Sequence, residues 1–158
     1  MGKILSIDEA ISYVKQMKKK KKKVVFTNGC FDIVHRGHIE YLQKAKELGD
    51  ILIVGLNSDE SVKRLKGKNR PIMPQEDRAY ILSHIVGVDV VCIFEEDTPQ
   101  KLIESLVPDI LVKGAEYKIN EIVGRETVFN SGGKVLTIPM VKGKSTRNLI
   151  RKIANLYK

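Results

Sequence analysis

Apolar residues along this chain follow two periods. Residues 24–27, 51–56, 90–94, 110–113 and 134–138 form short runs that are apolar almost without interruption. Runs of that length without polar alternation suit strands buried on both faces. Between them, apolar positions recur three and four apart. Ile7, Ala10, Ile11 and Val14 follow Ser6-Ile7-Asp8-Glu9, a capping-box pattern that starts a helix. Further helices are predicted from about Ile39 to a stop at Gly49, over 58–64, 75–86, 98–106 with Pro99 at its first position, 121–131, and from Ser145 to about Leu156. Residues 66–74 read as a loop. Strands alternating with helices predict an α/β fold with a parallel five-stranded sheet, covered on both faces and binding its ligand at the carboxyl ends of the strands.

One strand-to-helix junction carries the chemistry. Thr27-Asn28-Gly29-Cys30-Phe31-Asp32-Ile33-Val34-His35-Arg36-Gly37-His38 leads from the first of these strands into a helix. A strand turning through glycine into a helix start aims backbone N–H groups and the positive end of the helix dipole at one spot, which suits phosphate. His35 and His38, three apart, point both imidazoles to one side of a first helical turn. Gly37 between them removes the Cβ that would crowd a ligand. A metal is the competing use of such a pair, with Cys30 and Asp32 as nearby candidates. No Cys-x-x-Cys or His-x-x-x-His spacing accompanies them, and no metal ligands are expected.

Composition narrows the classes. A chain of 158 residues with 42% hydrophobic content can bury one core. A single domain over 1–158 is expected, with residues 1–23 as an N-terminal helix and lysine-rich connector. No apolar run is long enough to span a membrane and no signal-peptide core is present, so no membrane partner is expected. Cys30 and Cys92 make no disulfide framework and are expected to stay reduced in a cytoplasm, Cys92 within the core.

The net charge of +9 has two sources. Lysines occupy every position from 18 to 23. No aromatic residues interleave with them to stack on bases, so this run reads as a solvated connector, with no nucleic-acid partner expected. A nucleic-acid-binding module is the alternative from another class. Arg64, Lys66, Lys68, Arg70 and Arg78 flank a Gly-Pro loop and are candidates to converge on a small anionic substrate. Asn57 and Asp59 stand just past a strand end, and Lys113-Gly114 follows another strand. His84, mid-helix and away from any motif, reads as structural.

Gly143-Lys144-Ser145-Thr146 looks like the end of a Walker A loop, but the glycine required five positions before Gly143 is Ile138. Ser145 and Thr146 at a helix start are explained by themselves as an ordinary N-cap. Facing a second phosphate-type turn on the same sheet edge, they become candidate partners for the outer phosphates of a nucleotide.

Asn28-Gly29-Cys30-Phe31-Asp32, His35-x-Gly37-His38 and Ser145-Thr146 resemble the nucleotidyltransferases that carry a His-x-Gly-His signature. The stretches Leu48-Gly49-Asp50, Asn57-Ser58-Asp59, Arg64-Leu65-Lys66-Gly67, Arg70-Pro71, Phe94-Glu95-Glu96-Asp97-Thr98-Pro99, Pro108-Asp109 and Val112-Lys113-Gly114 look like the adenylyltransferase domain of bacterial ADP-heptose synthase. The resemblance runs from about Ser6 to Ile153 and implies a Rossmann-like three-layer sandwich. It also implies a version of that domain without the sugar kinase to which it is often fused. Ala115-Glu116-Tyr117 departs from the family's more usual Gly-Asp-Tyr, and Lys144-Ser145-Thr146-Arg147 from Cys-Ser-Thr-Thr. An arginine of the cytidylyltransferase branch near Met140 is missing, which points away from glycerol phosphate as the acceptor.

The resemblance implies transfer of AMP from ATP to a sugar 1-phosphate, giving ADP-heptose and pyrophosphate; a cytidylyltransferase acting on a small phosphate is the alternative. His35 and His38 are then the catalytic residues that stabilise charge at the α-phosphorus. Thr27, Asn28 and the backbone of Gly29, Cys30 and Phe31 shape the nucleotide pocket, with Gly37, Lys113 and Gly114, while Ser145 and Thr146 hold the β and γ phosphates. Asp32, Asn57, Asp59, Arg64, Lys66, Arg70 and Arg78 are the acceptor-side candidates. Magnesium bridges phosphate oxygens with few or no protein ligands. An amphipathic N-terminal helix permits a homodimer without demanding one.

Overall fold

The computed structural model describes residues 1–158. The chain runs β1 (Lys3–Leu5), α1 (Ile7–Lys19), β2 (Val24–Gly29), α2 (Arg36–Lys46), β3 (Ile51–Asn57), α3 (Asp59–Lys66), α4 (Gln75–Ser83), β4 (Val90–Phe94), α5 (Gln100–Leu106), β5 (Ile110–Gly114), a 3-10 turn (Ile119–Glu121), α6 (Arg125–Asn130), β6 (Lys134–Ile138) and α7 (Thr146–Leu156). One parallel sheet has the order β1-β4-β3-β2-β5-β6. The chain winds outward from β2 through β3 to β4, then returns to the other side of β2 with β5. That reversal opens a crevice beyond the carboxyl ends of β2 and β5, the usual ligand position in such sheets.

Alternate strand residues feed two cores, one on each face. Phe26, Ile53, Cys92 and Leu111 pack with Ala10 and Val14 of α1, Leu102 and Ile103 of α5 and Val128 of α6. Val25, Leu52, Val54, Val91 and Val112 pack with Leu42 and Ala45 of α2 and Ala79 and Leu82 of α4. The capping box of α1 forms as its sequence requires, Ser6 Oγ accepting from Glu9 N–H and Glu9 accepting from Ser6 N–H.

The structure adds a sixth strand to the expected five. At three residues β1 is too short to show a period; it is held by pairing with β4 and by the Gly2 N–H to Ser83 O bond at 2.7 Å. The predicted helix over 121–131 is split, because Gly124 takes φ +86° between the 3-10 turn and α6. Helix α4 ends at Ser83, three residues short of its expected end. Helix α5 begins one residue after Pro99, with no side-chain cap from Thr98.

Candidate active site

The crevice is a cleft of ≈ 870 Å³. Its walls come from the turn between β2 and α2, the ends of β3 and β5, the segment after β5, and the start of α7.

Helix α2 begins at Arg36, earlier than its apolar pattern indicates, because His35 is its N-cap. The two histidines form a capping box. His35 Nδ1 accepts from Gly37 N–H at 3.1 Å, and His38 Nδ1 accepts from His35 N–H at 3.3 Å. An imidazole that accepts at Nδ1 and is neutral must carry its proton on Nε2. The rings stack with centroids 3.9 Å apart, and Phe31 lies against His38 at 5.3 Å. Burial, and then the neighbouring His35, push the His38 pKa down to about 4. Burial and the Lys144 charge lower that of His35. Near neutral pH both rings are therefore uncharged N–H donors lining the cleft. Gly37 eases this packing: a Cβ there would lie 3.0 Å from the His35 ring and 3.1 Å from Lys144 Cβ, both tight contacts.

The loop after β2 puts Phe31 and Ile33 at positive φ, +45° and +56°. Between them Asp32, 2% exposed, lines the cleft with its carboxylate bonded to the 66–74 loop. It accepts from Ile72 N–H at 2.8 Å, Met73 N–H at 3.0 Å and Arg70 Nε at 2.8 Å. Burial alone raises the Asp32 pKa, but these three donors outweigh it and hold the carboxyl below its usual range. Asp32 thus pins the 66–74 loop beside the cleft.

Arg78 is fully buried. It donates to Met73 O at 3.0 Å, Cys30 O at 2.7 Å, Asn57 O at 2.9 Å and Asp59 Oδ1 at 2.8 Å. These bonds tie the ends of β2 and β3 to the loop before α4, and they place Arg78 and Asp59 under the site rather than in it. Arg64 points to the surface, where its Nε donates to Asp97 Oδ1 at 2.6 Å. Thr27 is buried beneath the cleft, its Oγ1 2.7 Å from Tyr41 Oη and 3.0 Å from Val112 O.

Asn28, Gly29, Cys30, Phe31 and Asn57 do line the cleft, as do Lys66, Arg70, Lys113 and Gly114. Lys113 Nζ lies 3.3 Å from Asn28 Oδ1 and 4.9 Å from the centroid of Tyr117, and burial lowers its pKa. Ser145 and Thr146 reach the same wall. Ser145 Oγ accepts from Asn148 N–H at 3.1 Å, and Thr146 Oγ1 donates to Asp32 O at 2.6 Å.

Tyr41, Glu116, Tyr117, Lys144, Arg147 and Arg151, none of which is marked as a site residue by sequence pattern, also line the cleft. Arg147 and Arg151 stand one helical turn apart, a spacing that α7's periodicity displays once its N-cap is known. No group of three or more His, Cys, Asp or Glu residues is arranged to hold a metal ion. The lysine run lies at the opposite, amino-terminal edge of the sheet: Lys18, Lys21, Lys22 and Lys23 border a shallow hollow with Asp109 and Lys134. No helix is long and apolar enough to cross a membrane.

An open parallel sheet with a cleft over its reversal point is a Rossmann-like α/β architecture, here with phosphate-type helix starts on one edge. The chain belongs to the cytidylyltransferase-like family of nucleotidyltransferases, whose model matches residues 26–150. It is 52% identical over 156 residues to the bifunctional protein HldE of Citrifermentans bemidjiense, covering 99% of this chain and 32% of the relative. To HldE of Campylobacter concisus it is 56% identical over 151 residues, covering 96% of this chain and 31% of the relative. The chain therefore spans about a third of the length of the curated relatives it matches. Among solved structures, the lipopolysaccharide core biosynthesis protein of Thermoplasma volcanium is 32% identical with a TM-score of 0.63, covering 78% of this chain and 99% of that one. Pantoate-beta-alanine ligase of Francisella tularensis, solved in complex with β-γ ATP and β-alanine, shares the fold: TM-score 0.68 at 18% identity, covering 99% of this chain and 77% of that one.

Proposed function

We propose that the chain, as a single domain over 1–158, is an adenylyltransferase. It transfers AMP from ATP to D-glycero-β-D-manno-heptose 1-phosphate, releasing pyrophosphate and forming ADP-heptose. The observation that carries this reading is the mutually capped histidine pair, with both Nδ1 atoms occupied and both Nε2–H groups left for phosphate. The acceptor is supported by the sequence resemblance and by the identity of about half the residues to the HldE proteins.

A sugar phosphate oxygen attacks the α-phosphorus, the bond to the bridging oxygen breaks, and pyrophosphate departs. A phosphate monoester with a second pKa near ~6 is already largely dianionic at neutral pH, so the attack needs alignment more than a base. His35 and His38 donate to α-phosphoryl oxygens as negative charge builds there, and being neutral they do so without giving up a proton. Lys113 and the turn at Asn28 and Gly29 border the nucleotide, while Lys66, Arg70 and Asn57 border the acceptor. Asp32, Asp59 and Arg78 position the loop, and Thr27 supports the floor from below.

Magnesium fits as an ion carried in by the phosphates, since Asp32, the one carboxylate of the histidine turn, is spent on three donors. When bound it supplies charge neutralisation to the phosphate oxygens. A cytoplasmic location accords with two free thiols, Cys30 and Cys92. The partners in this reading are small molecules, and it involves neither nucleic acid nor membrane.

The test is pyrophosphate release. Purified protein with ATP, magnesium and heptose 1-phosphate is expected to release pyrophosphate, and to do so far faster than with CTP and glycerol 3-phosphate. The reverse preference replaces this reading with a cytidylyltransferase.

A further inference from the structure

The lysine run from 18 to 23 is not a slack connector. Helix α1 closes in a Schellman turn, with Lys21 N–H donating to Lys18 O at 2.9 Å and Lys22 N–H to Met17 O at 3.0 Å. Lys21 takes φ +58° there, the left-handed conformation usually left to glycine. Lys23 N–H donates to Asp50 Oδ2 at 2.7 Å. The backbone of the run is thus fixed, and it holds Lys18, Lys21, Lys22 and Lys23 around a hollow of ≈ 430 Å³ that Lys134 also borders. Gly132 and Gly133 line the same hollow without side chains to fill it.

Only part of this charge has a local use. Lys18 Nζ donates to Val107 O at the end of α5 and lies 4.0 Å from Asp109 Oδ1. The other Asp109 oxygen accepts from Val24 N–H at 2.8 Å. Helices α1, α5 and α6 all end at this edge, and each carboxyl terminus carries at most about half a negative charge. Five ammonium groups set against one carboxylate and three such termini leave the hollow positive by about two charges or more. Lys21, Lys22, Lys23 and Lys134 are exposed and take part in none of the ion pairs of the molecule. Their mutual repulsion is relieved when an anion binds among them.

We infer that this hollow binds a small anion carrying several phosphate groups, at the edge of the sheet opposite the histidine cleft. Lysine ammonium groups meet phosphate as point charges. The volume lies within the range of small-molecule sites, about 300–1,000 Å³. Ile110, itself buried, is the one apolar residue of the lining, and no aromatic ring borders it. A bilayer therefore finds no apolar side chain to take up, nucleic acid no ring for its bases, and a protein partner no apolar anchor. A compact polyphosphate needs none of these. The site stands apart from the nucleotidyl-transfer reading and does not depend on it.

The test is titration of the full chain with inorganic tripolyphosphate at constant ionic strength, followed by backbone amide shifts. Lys22, Gly132, Gly133 and Lys134 are expected to shift. Tripolyphosphate should bind there at least about tenfold more tightly than inorganic phosphate, since one further charge-assisted bond is worth roughly that much. The K21Q/K22Q/K134Q variant should lose about a hundredfold or more at these amides. Shifts at Gly37 and Lys113, which report the cleft, should keep their midpoint to within about twofold, because distant sites act independently. The three substituted side chains are exposed, so an unchanged thermal midpoint serves as the folding control. Amides around the hollow that do not move, or a folded triple variant with wild-type affinity there, would overturn the site. Tighter binding of a short DNA duplex or of phosphatidylglycerol vesicles at the same amides would overturn it too, by making the hollow part of a macromolecular surface.

Discussion

His35 and His38 cap each other's turn. His35 N–H donates to His38 Nδ1 at 3.3 Å while the two rings stack at 3.9 Å, and His35 Nδ1 takes the next available N–H from Gly37. A helix start that ordinarily uses Ser or Asp is here built from two side chains that line the cleft. The same bonds that begin α2 fix both tautomers, leaving both ring N–H groups on Nε2.

The first consequence is spectroscopic and kinetic. Long-range proton–nitrogen spectra at pH 7 should show both rings protonated at Nε2 only. Asn is among the best N-caps, so His35→Asn should preserve the thermal midpoint to within about 2 °C. It should nevertheless lower turnover about a hundredfold, the usual loss for one charge-stabilising donor. Undiminished turnover in His35→Asn would remove that N–H from the mechanism.

Stability should depend on pH through the same pair. His38 is held near about 4 by burial and by His35, and His35 is lowered by burial and by Lys144. In the unfolded chain both titrate near ~6.5. Between these values the unfolded state binds protons that the folded state does not, so stability is full above the unfolded value and falls as pH drops toward the folded one. The urea midpoint should decline from pH 7 to pH 4.5, and less steeply in His38→Asn. Identical slopes in the two proteins would show that His38 is not held neutral by the fold.

Arg78 should matter for folding rather than for substrate contact. Replacing it with Met leaves the Asp59 carboxylate and the carbonyls of Cys30, Asn57 and Met73 without their donor. Breaking such a buried pair costs about 3 kcal/mol or more. For a chain of this length that lowers the thermal midpoint by roughly 6–12 °C. Arg78→Lys should recover little, because one ammonium cannot reach all four acceptors. A midpoint unchanged in Arg78→Met contradicts its role as a brace.

The basic residues of the acceptor side should separate by position. Arg64 pairs with Asp97 on the surface, with side chains 49% and 55% exposed. Arg64→Ala should cost less than about 1 kcal/mol and leave kcat/KM within about twofold. Lys66 lines the cleft and takes part in no ion pair, and Lys66→Ala should raise the KM for the sugar phosphate about tenfold, as expected for one lost charge-assisted bond. Equal effects of the two substitutions would contradict this division.

Much of the molecule was legible from residue order. The five long strands and most of the helices follow from runs and periods that local sequence displays, and strand–turn–helix at Thr27 to His38 located the edge at which the cleft opens. The three-residue β1 was not legible, because its conformation comes from pairing with β4, far along the chain. The interruption at Gly124 was not legible either, since a glycine inside a periodic stretch does not announce the sign of its φ.

By itself the sequence determined the alternation of elements, the sheet edge at which the cleft opens, and the residue types available there. Only the tertiary structure decided what each does. Arg64, Arg70 and Arg78 read alike as nearby basic residues, yet one pairs at the surface, one pins a loop through Asp32 and one is a buried brace. Lys144, Arg147 and Arg151 remain as cations without carboxylate partners. A charge's role is set by its nearest opposite charge and by its access to water, and both depend on contacts between residues distant in the chain, which local patterning does not encode.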